Sequence, residues 1–145
     1  MNANEIIKEA SQWIGTPFHP QGRQKNIGCD CIGLIIGIAK VIGAISLTGA
    51  LWDECDVTNY NCMCDSKLLI DLLPKHFHII NDCSYGDMLV IEISENQYHV
   101  CLVSDNNSRK IIHTCSTIGR VLEQKMPYSW TKKRHLALRY NLIHQ

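Results

Sequence analysis

Three residues of this chain, Cys31, His99 and His113, have the types and placing to make and break an acyl bond. Cys31 follows the polar loop His19–Gly28 and opens a dense apolar run, CIGLIIGIAKVIGAI, so a helix is predicted to begin near Asp30 or Cys31 and to fade at Gly43. A thiol at a helix N-terminus faces backbone N–H groups and the positive end of the helix dipole, and both favour the nucleophilic thiolate. The same N–H groups can stabilise an oxyanion in acyl transfer. Gly33 would let this helix pack closely on a sheet or let a substrate approach. Most intracellular cysteines are inert, so a buried structural cysteine at a helix start is the plainer account of the same residues. Cys29, in the loop before the helix, is read that way.

A thiolate needs a base, and the base needs an orienting partner. His99 lies in the apolar strand YHVCLVS, where an imidazole is costly unless it is paired or at an open edge of the core. His113 lies between Ile112 and Thr114 on the next strand. The two are an even number of positions apart, so they share a sheet face if the connection is odd in length. A three-residue loop, Asp105–Asn107, sets them almost opposite, whereas a two- or four-residue loop separates them unless a bulge intervenes. An odd loop or a bulge is therefore predicted. Either histidine alone is readily a satisfied core or surface residue. His76 and His78 are assigned to a strand with a solvated face.

The elements that must hold these groups come from a chain of 145 residues, 46% hydrophobic and 19% charged, a size that suits one domain with its own core. Fourteen Lys plus Arg balance fourteen Asp plus Glu, with no long basic run, which argues against a dedicated nucleic-acid binder. The apolar run from Cys31 is broken by Gly33, Gly37, Lys40 and Gly43 and falls short of a membrane span. No basic leader with an apolar stretch opens the sequence, so synthesis in a cytoplasm without a signal peptide is expected. In that setting the eight cysteines are expected as free thiols.

The first half reads helical. Asn4 can cap a helix whose apolar face carries Ile6, Ile7, Ala10, Trp13 and Ile14, stopped by Gly15-Thr16-Pro17. Ser46–Cys64 reads as an irregular connection, and Asp65 could cap a short helix, SKLLIDLL, ended by Pro74. Strands follow: His76–Ile80, Met88–Ser94, Tyr98–Ser104, Arg109–Thr114, Arg120–Lys125 and His135–Tyr140, with a turn at Tyr85-Gly86-Asp87 and a hairpin at Asp105–Ser108. Helices followed by a meander of strands indicate an α+β domain with an antiparallel sheet spanning residues 1–145.

The motifs GTPF (Gly15–Phe18), GCDCIGLI (Gly28–Ile35), GDMLVI (Gly86–Ile91), HVCLVSDN (His99–Asn106) and IIHTCS (Ile111–Ser116) occur in an order that resembles the NlpC-type cell-wall peptidases, papain-like cysteine hydrolases of peptidoglycan. The resemblance runs from about Glu5 to Tyr140. Ile32 directly after the cysteine, the absent leader and Gly119–Val121 are most similar to the phage and prophage tail-associated branch. The resemblance implies a papain-like fold, Cys31 as nucleophile, His99 as general base, His113 as its orienting partner and Asp30 as a support of the helix start. It implies hydrolysis of an amide in the peptidoglycan stem peptide, often between D-glutamyl and diaminopimelyl residues, with no metal or organic cofactor. Delivery to the wall by a phage tail, a secretion system or lysis follows from it. Phe18 stands where the family often has Tyr, keeping the ring and losing a hydroxyl donor near the active site.

Two other readings use the same residues. Substrate choice lives in loops such as Ser46–Cys64, so a papain-like amidase or acyltransferase on another substrate fits as well. Cys55, Cys62 and Cys64, with Cys29 and Cys31, suggest a zinc-binding interaction module, although their C-x-C spacing is not the usual C-x₂₋₄-C of zinc sites.

Overall fold

The computed structural model describes residues 2–57, 66–107 and 109–142, with backbone alone for 66–69. Asn2, and not Asn4, caps the first helix, α1 (Ala3–Gln12): its Oδ1 accepts the Glu5 N–H at 3.2 Å, three residues on, as an N-cap must. Ile6, Ala10 and Trp13 are buried, but Ile14 is 43% exposed. The chain leaves the helix at Trp13 and turns through Gly15 at φ 94°, so Ile14 never joins the apolar face.

A short ribbon, β1 (Arg23–Gln24) paired with β2 (Gly28–Cys29), folds the polar loop back and delivers the chain to α2 (Cys31–Ile42). Residues Ile32 to Ala39 are all buried, so α2 is enclosed nearly all round, as its unbroken apolar run requires. It ends where Gly43, at φ 75°, returns its N–H to the Ala39 carbonyl.

The connection expected to be irregular contains one helical turn, α3 (Trp52–Cys55), with Trp52 buried. Residues 58–65, which hold Cys62, Cys64 and the expected cap Asp65, lie outside the described residues. The next helix, α4 (Ser66–His76), runs through Pro74 instead of stopping there. Proline in a last turn removes one backbone donor, and the Phe77 N–H still reaches the Leu73 carbonyl at 3.0 Å.

Six strands follow: β3 (His78–Ile80), β4 (Met88–Ser94), β5 (Gln97–Val103), β6 (Lys110–His113), β7 (Leu122–Lys125) and β8 (Arg134–Arg139). They form one antiparallel sheet in the order β3-β8-β4-β5-β6-β7. The α+β architecture read from the sequence is the one observed. Both faces of the sheet are covered. Met88, Val90, Val100, Leu102, Ile112 and Leu138 pack with α1 and α2. Leu89, Ile91, Cys101, Val103, Ile111 and Ala137 form a second apolar layer with Met126 and Trp130. Trp130 comes from a 3₁₀ helix (Tyr128–Lys132) that the sequence pattern did not announce, because its residues YSWTK carry no apolar period. Among the described residues no helix is long and apolar enough to cross a membrane.

Candidate active site

Asp30 builds the mouth of α2. Its Oδ1 accepts the Gly33 N–H at 2.7 Å, and its Oδ2 accepts the Gln21 N–H at 2.8 Å, tying the incoming loop to the helix start. Cys31 is then the first helical residue, half-buried, in the field of the first-turn amides. A carboxylate next to a thiol would by itself oppose thiolate formation. Arg23 meets that carboxylate: its Nη1 lies 3.3 Å from Asp30 Oδ1, while its Nε donates to Asp56 Oδ2 at 3.0 Å, all three side chains being almost enclosed. Lys40 meets the same Asp56 at 3.0 Å and the exposed Asp53 at 3.6 Å, extending the cluster to the surface.

Gly33 has a different reason from the one expected. A Cβ there would stand 1.8 Å from the Gly22 carbonyl oxygen and 2.9 Å from Asp30 Oδ1. It is the loop, not the sheet or a substrate, that crosses the helix start. Gly33 lets the loop lie there. Phe18 is half-buried and is bridged to Cys29, its N–H bonding the Gly119 carbonyl at 2.9 Å. Cys29 is fully buried, and burial first, then the Asp30 charge, pushes its thiol up to about 12, which keeps it protonated.

The histidines meet. Leu102 pairs with Ile112 and Val103 with Ile111, and the Ser104 N–H still bonds the Lys110 carbonyl at 2.9 Å. The intervening residues, 105–109, are odd in number, so the predicted parity holds with a longer loop than Asp105–Asn107. Asp105 Oδ1 closes the loop by accepting the N–H groups of Arg109 and Lys110 at 2.7 and 3.0 Å. The longer loop slides β6 by one two-residue step, so His113 lies diagonal to His99 instead of opposite. The diagonal suits two rings: His99 Nε2 is 2.8 Å from His113 Nδ1, with ring centroids 5.0 Å apart.

A third residue, not foreseen from the sequence, ends this chain of contacts. Gln124 Oε1 lies 2.9 Å from His113 Nε2. Its signal was present in the alternation of β7, where Leu122 and Gln124 point inward and Glu123 and Lys125 outward. Trp130 covers both rings, 5.4 Å from His99 and 5.5 Å from His113, edge to face. It also lines, with Leu89, Ile91, Met126, Thr131 and Arg134, a hollow of about 160 Å³. Burial under this cover, and then the neighbouring His113, pushes His99 down to about 3, so the ring is neutral at ordinary pH. Burial also lowers His113, opposed by its bond to Gln124.

Helix α2 packs against β5, the strand of His99. Cys101 follows His99 by two residues and shares its face. Its thiol is pushed well up by burial first, and the charges of Cys83 and Cys31 add to the effect.

Of the two histidines expected on a solvated strand face, only His76 departs from that place. His76 ends α4 and is buried, its Nδ1 2.5 Å from Ser46 Oγ and its ring 5.1 Å from Trp52. His78 alone is exposed on a strand, 3.2 Å from Asn141 Oδ1. The six cysteines among the described residues are free thiols. Among those residues no three His, Cys, Asp or Glu side chains are grouped to hold a metal.

The sequence matches no family model and no curated protein. The fold does have solved counterparts. The NlpC/p60 domain of the peptidoglycan hydrolase SagA aligns with a TM-score of 0.58 at 19% identity, over 95% of this chain and 98% of that one. An NlpC/p60 family protein from Bacillus cereus gives 0.66 at 15% identity, and NlpC2 from Trichomonas vaginalis gives 0.63 at 16%. This chain spans 41% of the former and 47% of the latter, so it corresponds to less than half of either protein. At these identities the likeness is one of fold: the chain has the architecture of NlpC/p60 domains.

Proposed function

We propose that the chain is a cysteine peptidase that hydrolyses amide bonds in peptidoglycan stem peptides, with Cys31 as nucleophile, His99 as general base and His113 as the residue that orients it. The observation that carries the assignment is the buried His99–His113–Gln124 chain, which starts on β5, the strand that packs against the helix Cys31 opens. The likeness to NlpC/p60 domains, one of them from a named peptidoglycan hydrolase, supports the substrate class.

The chemistry runs from the tautomers. Gln124 Oε1 accepts, so His113 carries its proton on Nε2 and its lone pair on Nδ1. His99 then donates Nε2–H to that lone pair and keeps its own lone pair on Nδ1. Nδ1 takes the thiol proton of Cys31 as the sulfur attacks the amide carbon, and the oxyanion is met by N–H groups at the helix mouth. The imidazolium hands its proton to the leaving amine. A water, deprotonated by the same Nδ1, then attacks the thioester and frees the carboxylic acid and the thiol. The bond between D-glutamyl and diaminopimelyl residues is the amide assigned as the target. Ile32 and Gly119–Val121 favour an enzyme of phage or prophage origin, delivered to the wall by a particle, a secretion system or lysis.

Incubation with purified muropeptides and mass analysis of the products tests the assignment. Wild type is expected to release cleaved stem peptides and Cys31→Ala to release none. Equal products from both would reject Cys31 as nucleophile. Cleavage of a non-wall amide in place of muropeptides would move the substrate and keep the machinery.

A further inference from the structure

The direction of the histidine chain is set at its outer end, on an edge strand. β7 is the last strand of the sheet, and Gln124 is half-buried there, opposite Ile111 in the ladder. An amide has two faces of opposite sense, one accepting and one donating. With the carbonyl inward, the protons sit on Nε2 of both rings and the lone pair of His99 sits on Nδ1. With the NH₂ inward, every bond reverses: His113 must protonate Nδ1, His99 must accept at Nε2, and the His99 proton moves to Nδ1, where no base is left.

Taking the peptidase assignment as its premise, we propose that Gln124 is a positioning residue whose side-chain carbonyl fixes the tautomers of His113 and His99 and so keeps the basic lone pair on His99 Nδ1. Two observations on the residue itself fix its sense. The Gln124 NH₂ reaches the Lys125 carbonyl at 3.4 Å, a partner only a donor can use, so the carbonyl is the end that meets His113 at 2.9 Å. Trp130 closes over both rings and His99 is only 5% exposed, so water is shut out of the inner bond of the relay and does not randomise the tautomers there. A glutamine suits this place better than a carboxylate in one respect. It orders the proton without placing a charge beside two rings that burial holds neutral.

Ring ¹⁵N NMR of wild type, Gln124→Leu and Gln124→Glu tests this, read beside muropeptide turnover. Wild type is expected to show His99 and His113 each as a single Nε2–H tautomer. Gln124→Leu should show a second tautomer at His113 and His99 and lose about ten- to a hundred-fold in kcat/KM, below the ~10⁴-fold seen when a triad histidine is locked in the wrong tautomer. Gln124→Glu, which can still accept, should restore the single tautomer and most of the turnover. Unchanged tautomers in Gln124→Leu, or a glutamate that fails to restore them, overturn the role of Gln124. Tautomers that behave as expected in a protein that cleaves no muropeptide uphold the relay and overturn the peptidase assignment.

Discussion

Two buried histidines in this molecule look alike and do different work. His76 and His99 are each nearly enclosed, each bonded through a ring nitrogen and each packed against a tryptophan, Trp52 in one case and Trp130 in the other. His76 meets Ser46 Oγ, a hydroxyl that is itself fully buried and already receives the Thr48 N–H at 3.0 Å and faces Thr48 Oγ1 at 2.9 Å. That serine is occupied in holding the turn 46–50 to the end of α4 and offers no face to a substrate. His99 instead begins a chain of acceptors that ends on an edge strand. A serine and a histidine at hydrogen-bond distance are therefore not a site by themselves. The polarity of the chain behind the imidazole, and access for the nucleophile, separate a catalytic pair from a structural one.

Substitution at the two positions should separate them most. His99→Ala is expected to lower kcat/KM by about 10²–10⁴-fold, the usual worth of a general base, with the fold retained. His76→Ala should leave turnover per folded molecule near wild type and cost about 1–3 kcal/mol of stability, through the lost bond to Ser46 and the space left against Trp52. Comparable activity losses at both positions, with circular dichroism unchanged, would erase the distinction.

Acid sharpens the comparison. Burial holds His76, His99 and His113 below the ordinary histidine value. The unfolded chain binds protons that these rings refuse when folded, so stability is complete above about pH 6.5 and falls as the pH drops below it, the His99 share continuing to fall until about pH 3. Each refused proton steepens the loss by ~1.4 kcal/mol per pH unit. Urea midpoints should therefore decrease from pH 7 to pH 5, less steeply in His99→Gln than in His76→Gln, because His99 is held down to about 3. A midpoint that rises on acidification would contradict the burial of these rings.

The tryptophan covers should differ as well. Trp130→Ala lets water reach His99, whose pKa should climb from about 3 toward 6.5 in an NMR titration. Trp52→Ala should leave the His99 titration in place while costing about 3–5 kcal/mol in stability as a large core truncation. The smallest effect is expected at the helix start: Asp30→Ala removes the N-cap of α2 and should cost about 0.5–2 kcal/mol by thermal or urea unfolding. A variant as stable as wild type would mean that the Asp30 cap and its pair with Arg23 add nothing to the stability of the fold.

Much of this was legible in the residues. The apolar run from Cys31 and its glycine stop placed α2 to within a residue at its start, with Gly43 as its end, because continuous burial leaves no ambiguity of face. β4 was read at its true bounds, and the parity of His99 and His113 followed from counting, since strand side chains alternate. What was not legible needed knowledge of the third dimension. Pro74 sits late enough in α4 to be tolerated, and that depends on the packing of Leu73 and Phe77. Asn2 is the cap in place of Asn4 because the helical backbone begins at Ala3, the Ile6 N–H already bonding the Asn2 carbonyl. Gln124 and Trp130 come from segments with ordinary sequence patterns, and their meaning appears only when β7 pairs with β6 and the 3₁₀ helix folds over the rings.

The central claim is that one sulfur, at the mouth of α2, is activated by the imidazole of His99. Iodoacetamide labelling of the native protein at pH 6, with the rate at each cysteine followed by peptide mass analysis, tests it most directly. Cys31 is expected to react well ahead of Cys55, Cys83 and Cys115, and to lose that lead in His99→Ala. A Cys31 that labels no faster than those three thiols, or at the same rate with and without the imidazole, would contradict the account.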